Sequence, residues 1–218
     1  MPTDILARPD ARSARTTRAA HTTAAQALHR HWLQDLAVLN LRGDPADAGF
    51  TGAVAATLGV ALPLQACTTT AGTGPYGALR LVWAGPDDWF VLAEPGRAPA
   101  LEAALRAALA GRHTAVTDVS GGYHVLQLAG APVREVLAQG CPLDLHPRAF
   151  HPGQSAGTIW FKASVWLWRP VDGDAAPLRG PQAPVFELLV RRSFAPYVDL
   201  LLQRTTLECG LAGEGPRP

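Results

Sequence analysis

The chain has 218 residues, 48% of them apolar, and a formal net charge of +1. That length and composition support a sizeable buried core, and the charge balance gives no electrostatic case for nucleic acid or an anionic membrane surface, both of which need a concentrated basic face. Cys67, Cys141 and Cys209 are odd in number and far apart, which excludes a disulfide framework or a Cys-x-x-Cys zinc site as the organising feature.

Residues 1–25 carry Arg8, Arg12, Arg15 and Arg18 among Ser, Thr and Ala, interrupted by Pro2 and Pro9. Too little apolar surface is present to offset the ordering entropy, so a flexible arm is expected. No apolar run reaches the ~20 residues of a membrane helix and none follows the basic residues as in a secretory signal, so a cytoplasmic location is expected. Residues 24–35 are expected to form a short helix anchored by Trp32. On such a helix His29 and His31 could not share a face, and metal binding is not expected of them.

Residues 36–41 read as the first strand. Asp44-Pro45 supplies an N-cap and a proline for the helix that follows, with Phe50, Val54, Thr57 and Leu58 facing the sheet. Residues 68–77 are polar and glycine-rich and read as a loop. Thr69-Thr70-Ala71-Gly72-Thr73-Gly74 lacks the Gly-Lys-Ser/Thr that a phosphate cradle needs. Leu79, Leu81 and Trp83, the turn Gly85-Pro86-Asp87-Asp88, and Trp89, Val91 and Ala93 make the clearest hairpin in the chain. Asp87 and Asp88 follow a proline in that turn and read as turn chemistry rather than an acid/base pair. Leu101, Leu105, Ala108 and Leu109 then line a helix ending near Gly111.

The stretch 114–154 organises the rest. Two strands, 115–119 and 123–128, flank Ser120-Gly121-Gly122, and a Gly-Ala-Pro start opens a helix with Val133, Val136 and Leu137 on one side. Val125-Leu126-Gln127-Leu128-Ala129-Gly130 echoes Val38-Leu39-Asn40-Leu41-Arg42-Gly43 at a shift of 87 residues, from Gly43 to Gly130. The predicted fold class is therefore α+β, built from two pseudo-repeated strand-helix-strand-strand-helix halves. The halves are assigned to residues 26–120 and 121–209, with a fraying tail over 210–218.

Within the second half, His146 and His151 sit between prolines without the further ligands a metal needs. Residues 158–169 read as one strong strand with Trp160, Lys162, Ser164, Trp166 and Trp168 on one face and Ile159, Phe161, Ala163, Val165 and Leu167 on the other. Three tryptophans exceed what a water-facing surface carries, so either a helix of this chain or another protein covers them. Residues 171–183 form a Gly/Pro/Asp-rich excursion before a strand at 185–191. Phe194, Tyr197, Val198, Leu201 and Leu202 give the best amphipathic helix in the chain.

A search for catalytic chemistry finds neither Gly-x-Ser-x-Gly nor a dinucleotide-binding Gly-x-Gly-x-x-Gly. Asp118, beside Val119 and Ser120, is the single polar candidate, either holding a polar ring or amine or satisfying backbone donors where the halves join. No catalytic, cofactor-binding or metal-ligating residue is assigned.

Leu39-Asn40-Leu41-Arg42-Gly43, Gly85-Pro86-Asp87-Asp88-Trp89-Phe90, Thr117-Asp118-Val119-Ser120, Leu128-Ala129-Gly130, Gly140-Cys141-Pro142-Leu143-Asp144-Leu145 and Phe186-Glu187-Leu188-Leu189-Val190-Arg191 stand in an order that resembles the gamma subunits of heterotetrameric sarcosine oxidases. These are relatives of the folate-binding N-terminal region of glycine-cleavage aminomethyltransferases. The resemblance, over about residues 36–202, implies ferredoxin-like lobes and a non-catalytic subunit of an enzyme that oxidatively demethylates sarcosine to glycine. In that chemistry peroxide is formed and the one-carbon unit passes to tetrahydrofolate. It further implies that FAD, FMN, NAD, tetrahydrofolate and zinc reside in partner subunits, and that this chain packs on the alpha subunit, beside beta and delta. The alternative is a free-standing folate-binding or aminomethyltransferase-like protein using Asp118.

Overall fold

A computed structural model describes residues 27–171, 184–211 and 213–214. The arm expected over 1–25 and nearly all of the excursion at 171–183 lie outside them. The chain begins with a strand where a helix was expected: β1, Leu28–Leu33, runs antiparallel to β7, Tyr123–Ala129. Leu28 and Trp32 are buried at strand spacing, and pairing with β7 overrides the helical propensity of an alanine-rich approach. On this strand His29 and His31 do share a face.

After β2, Ala37–Arg42, comes α1, Ala48–Leu58. Its cap is Asp47, not Asp44: the Asp47 carboxylate accepts the Gly49 N–H at 2.7 Å, while Asp44 accepts from Ala46 in the turn before. Phe50, Val54 and Leu58 are buried and Thr57 only half so. The residues read as a loop instead form β3, Thr69–Gly74, paired along its length with β4, Gly77–Gly85. Its glycines serve close approach rather than looseness, since a Cβ at Gly74 would sit 1.8 Å from the Leu58 carbonyl oxygen. The expected hairpin of β4 with β5, Asp88–Ala93, is present, with a bulge between Trp83 and Gly85. Next come α2, Ala98–Ala108, and β6, Ala115–Asp118.

The second half runs β7; α3, Val133–Ala138; β8, Ser155–Trp160; β9, Ala163–Trp168; β10, Val185–Arg191; and α4, Ala195–Glu208. The single long strand expected over 158–169 is in fact the β8–β9 hairpin, turning at Phe161 with φ +51°. Trp160 pairs with Ala163 across that turn, which reverses the facing parity. Trp160 therefore joins Val165 and Leu167 under the helices, while Trp166 and Trp168 point the other way. The tail is not wholly frayed, because β11, Gly213–Glu214, pairs in parallel with β1.

Both halves thus run strand, helix, three strands, helix. The strand missed in each is the same one: β3, taken for a loop, and β8, fused with β9. The α+β class and the repeat stand. The first half builds the sheet β3-β4-β5-β2-β6 and the second builds β11-β1-β7-β10-β9-β8. β1 precedes the first half's own strands in sequence, yet it sits beside β7, where β6 sits beside β2. The two sheets pack face to face with helices outside. Leu39 and Leu41 lie among the α1–α2 core and their echoes Leu126 and Leu128 among the α3–α4 core. Val38 and Val125 meet between the sheets with Val82, Phe90, Leu92, Trp168 and Leu189. Of the two covers open to the tryptophan face, a helix of this chain or another protein, the chain supplies its own, divided between two interiors: Trp160 lies under the helices and Trp168 between the sheets, both fully buried.

Candidate functional site

Asp118 ends β6 where the halves join. Its Oδ1 accepts the backbone N–H of Ser120 at 2.9 Å and also the Ser120 hydroxyl, whose oxygen in turn accepts the Val38 N–H at 3.0 Å. The carboxylate is exposed and fastens the 3-10 turn Ser120–Gly122 to β2. This is local backbone satisfaction, the second of the two roles open to it.

The structure draws attention instead to a residue that sequence reasoning passed over. Glu187 on β10 is 4% exposed and points into the space between the sheets. It accepts hydrogen bonds from Gln127 Nε2 at 2.8 Å and Trp168 Nε1 at 2.6 Å, and Arg80 Nε of the opposite sheet stands 3.4 Å away. The burial is consistent with these partners, since an uncompensated carboxylate would be expelled or neutralised there. A cleft of about 430 Å³ opens beside this cluster, bordered by Leu33, Leu36, Leu92, Val125 and Glu94. With donors from both sheets converging on its carboxylate, Glu187 bridges the two sheets. One acidic residue inside the apolar run Val185-Phe186-Glu187-Leu188-Leu189-Val190 was the available signal.

A second buried polar cluster fixes β1. Asp199 of α4 pairs with Arg30 at 3.2 Å and accepts from Trp32 Nε1 at 3.4 Å and Gln203 Nε2 at 2.8 Å. Nearby on β7, burial and then the positive charge of Arg192 press His124 below the ordinary histidine range, against a weaker pull upward from Asp35.

The remaining sequence candidates resolve as structure. Asp87 makes an exposed ion pair with Arg42 at 2.8 Å, and Asp88 accepts from the Asn40 side chain. His146 Nδ1 accepts the Arg148 N–H at 3.2 Å, and His151 Nδ1 lies 3.2 Å from the Pro147 carbonyl. Among the described residues no group of three or more His, Cys, Asp or Glu could hold a metal ion.

Two such halves, stacked as four layers with the sheets inside and the helices outside, form an aminomethyltransferase-like fold. The backbone superposes on the aminomethyltransferase T of the Bartonella henselae glycine cleavage system with a TM-score of 0.61 at 16% identity, covering 88% of this chain and 49% of that one. The chain belongs to the sarcosine oxidase, gamma subunit family, whose pattern it fits over residues 42–208. It is 37% identical over 131 residues to a sarcosine oxidase subunit gamma of Arthrobacter sp. and 35% identical to that of Corynebacterium sp. strain P-1. Each alignment takes in 60% of this chain and spans 62% of the relative's length. It also resembles a chain of the heterotetrameric sarcosine oxidase of Corynebacterium sp. U-96, solved with pyrrole 2-carboxylate, with a TM-score of 0.73 at 30% identity, covering 89% of this chain and 91% of that one.

Proposed function

We propose that this chain is the non-catalytic gamma subunit of a cytoplasmic heterotetrameric sarcosine oxidase, packing on the alpha subunit in a complex that also holds beta and delta. The observation that carries the reading is the likeness to a chain of the Corynebacterium sp. U-96 oxidase over nearly the full length of both. In this reading FAD, FMN, NAD, tetrahydrofolate and zinc are held by the partner subunits, and demethylation of sarcosine with peroxide formation takes place there. What this chain contributes is a stiff body: two sheets joined by Glu187 and Arg80, with Trp168 wedged between them. Glu187 takes up the side chains of Gln127, Trp168 and Arg80 between the sheets, which suits a scaffold. The alternative of a free-standing folate-binding protein using Asp118 is the weaker one, since the Asp118 carboxylate already accepts from the Ser120 turn.

Co-expression with the alpha, beta and delta subunits tests the proposal. The expected result is a single particle containing all four chains that forms peroxide when sarcosine is added. A chain that always elutes by itself would contradict it.

A further inference from the structure

β6 is an edge strand of the first sheet. Strand edges present unpaired backbone groups, and folded proteins cover them or use them. Here β3 is flanked by the segment after α1, where Thr70 donates to the Ala61 carbonyl and Gly72 lies against Val60. At the equivalent edge, β8 is flanked by the segment after α3, where Cys141 Sγ and Thr158 Oγ1 are 3.9 Å apart. Beyond β1, the counterpart of β6 in the other sheet, lies β11. Among the described residues no further strand pairs with β6, the outermost strand of its sheet.

The ladder shows which groups are offered. Val119 donates to Val38 at 2.9 Å, and with Asn40 opposite Thr117 and Arg42 opposite Ala115, alternate residues face β2. Val116 and Asp118 therefore turn their backbone N–H and C=O outward. Arg106 Nη2 already donates to the Val116 carbonyl at 2.8 Å, which confirms its direction and leaves that oxygen one lone pair. Alongside runs a groove of about 350 Å³ between the end of α2 and β6, containing Arg106 and Arg112 and no acidic side chain. These two are 62% and 37% exposed and share only the surface carboxylates Glu102 and Asp47.

We infer that the β6 edge and this groove take an extended, carboxylate-bearing segment of another protein chain, which adds a sixth strand to the first sheet and pairs its acids with Arg106 and Arg112. The choice of partner rests on the proposed role as an oxidase subunit; the edge itself does not. Backbone bonds to Val116 and Asp118 would give the affinity and the two arginines the selection of an acidic strand.

Hydrogen exchange on the full chain, by itself and in the co-expressed four-subunit complex, tests this. Assembly is expected to slow the Val116 and Asp118 amides by about tenfold or more. The double variant Arg106→Glu with Arg112→Glu removes two exposed charge pairs and is expected to weaken assembly on the order of tenfold. Arg97→Glu, 51% exposed beyond the opposite end of α2, should leave it unchanged. Matching thermal melts of the double variant and the parent exclude a folding defect. A complex that forms with unaltered exchange over 114–118, or one indifferent to the double variant, overturns the inference. So does protection that grows with the chain's own concentration in the absence of partners, which would mean a second copy. Failure of any complex to form would instead count against the proposed function.

Discussion

Asn40 and Gln127 occupy the same place in the two halves, 87 residues apart, and each donates its side-chain amide to a carboxylate on the neighbouring strand, Asp88 and Glu187 respectively. The local solution is repeated, but its surroundings are not. Asn40 lies toward the end of β2 where Asp88 keeps contact with water, whereas Gln127 and Glu187 are sealed between sheets and joined by Arg80 and Trp168. The repeated pairing is expected to carry more energetic weight where the second sheet covers it. Outside the sheets each outer strand is tied to its closing helix by different chemistry: β1 to α4 through the buried pair Arg30 and Asp199, and β6 to α2 through the exposed Arg106 donating to the Val116 carbonyl.

The sharpest way to break this comparison is to remove each carboxylate. Glu187→Ala removes the buried acceptor shared by Gln127, Trp168 and Arg80 and is expected to cost ~3–5 kcal/mol in urea unfolding, whereas Asp88→Ala, at a half-exposed site, should cost no more than ~1 kcal/mol. Equal losses would mean that burial does not separate the two sites. Next, Leu39→Ala and Leu126→Ala open equivalent holes in the two helix-facing cores and should each cost ~2–5 kcal/mol. Similar values would sharpen the case for equivalence, and a loss confined to one would break it.

Asp199→Ala frees Arg30 and Trp32 and is expected to cost ~1.5–3 kcal/mol, with faster amide exchange along β1 and none along β6. The smallest effect concerns pH. His124 has its folded-state value pressed below the ordinary 6.5, so the unfolded chain binds the proton first as pH falls. Stability present above that value is lost progressively below it. His124→Phe should flatten the slope of the melting temperature between neutral and mildly acidic pH, and an unchanged slope would assign the titration elsewhere.

The sequence made the repeat legible because Val38-Leu39-Asn40-Leu41 and Val125-Leu126-Gln127-Leu128 kept both spacing and parity. The β4–β5 hairpin was legible because its turn residues and alternation agree. Val198 and Leu202 of α4 fell where the amphipathic pattern put them. What was missed depended on the partner across space. β1 became a strand only through β7, and the glycines of β3 read as slack until the Leu58 carbonyl explained them. The β8–β9 turn is made by Phe161 and Lys162, between the paired Trp160 and Ala163, with no glycine or proline to mark it. Asp118 was visible as a polar residue at a junction, and its role proved local. Glu187 is a lone acid in an apolar strand, and nothing near it in sequence names the arginine that faces it from the other sheet.

The scaffold role is tested most directly by sarcosine-dependent peroxide formation in the co-expressed oxidase with this chain omitted, restored, or restored as Asp118→Ala. The account predicts that omission prevents a stable complex from accumulating, and that the Asp118→Ala chain restores both assembly and full turnover. Full activity without the chain, or an Asp118→Ala complex that assembles but does not turn over, would contradict it.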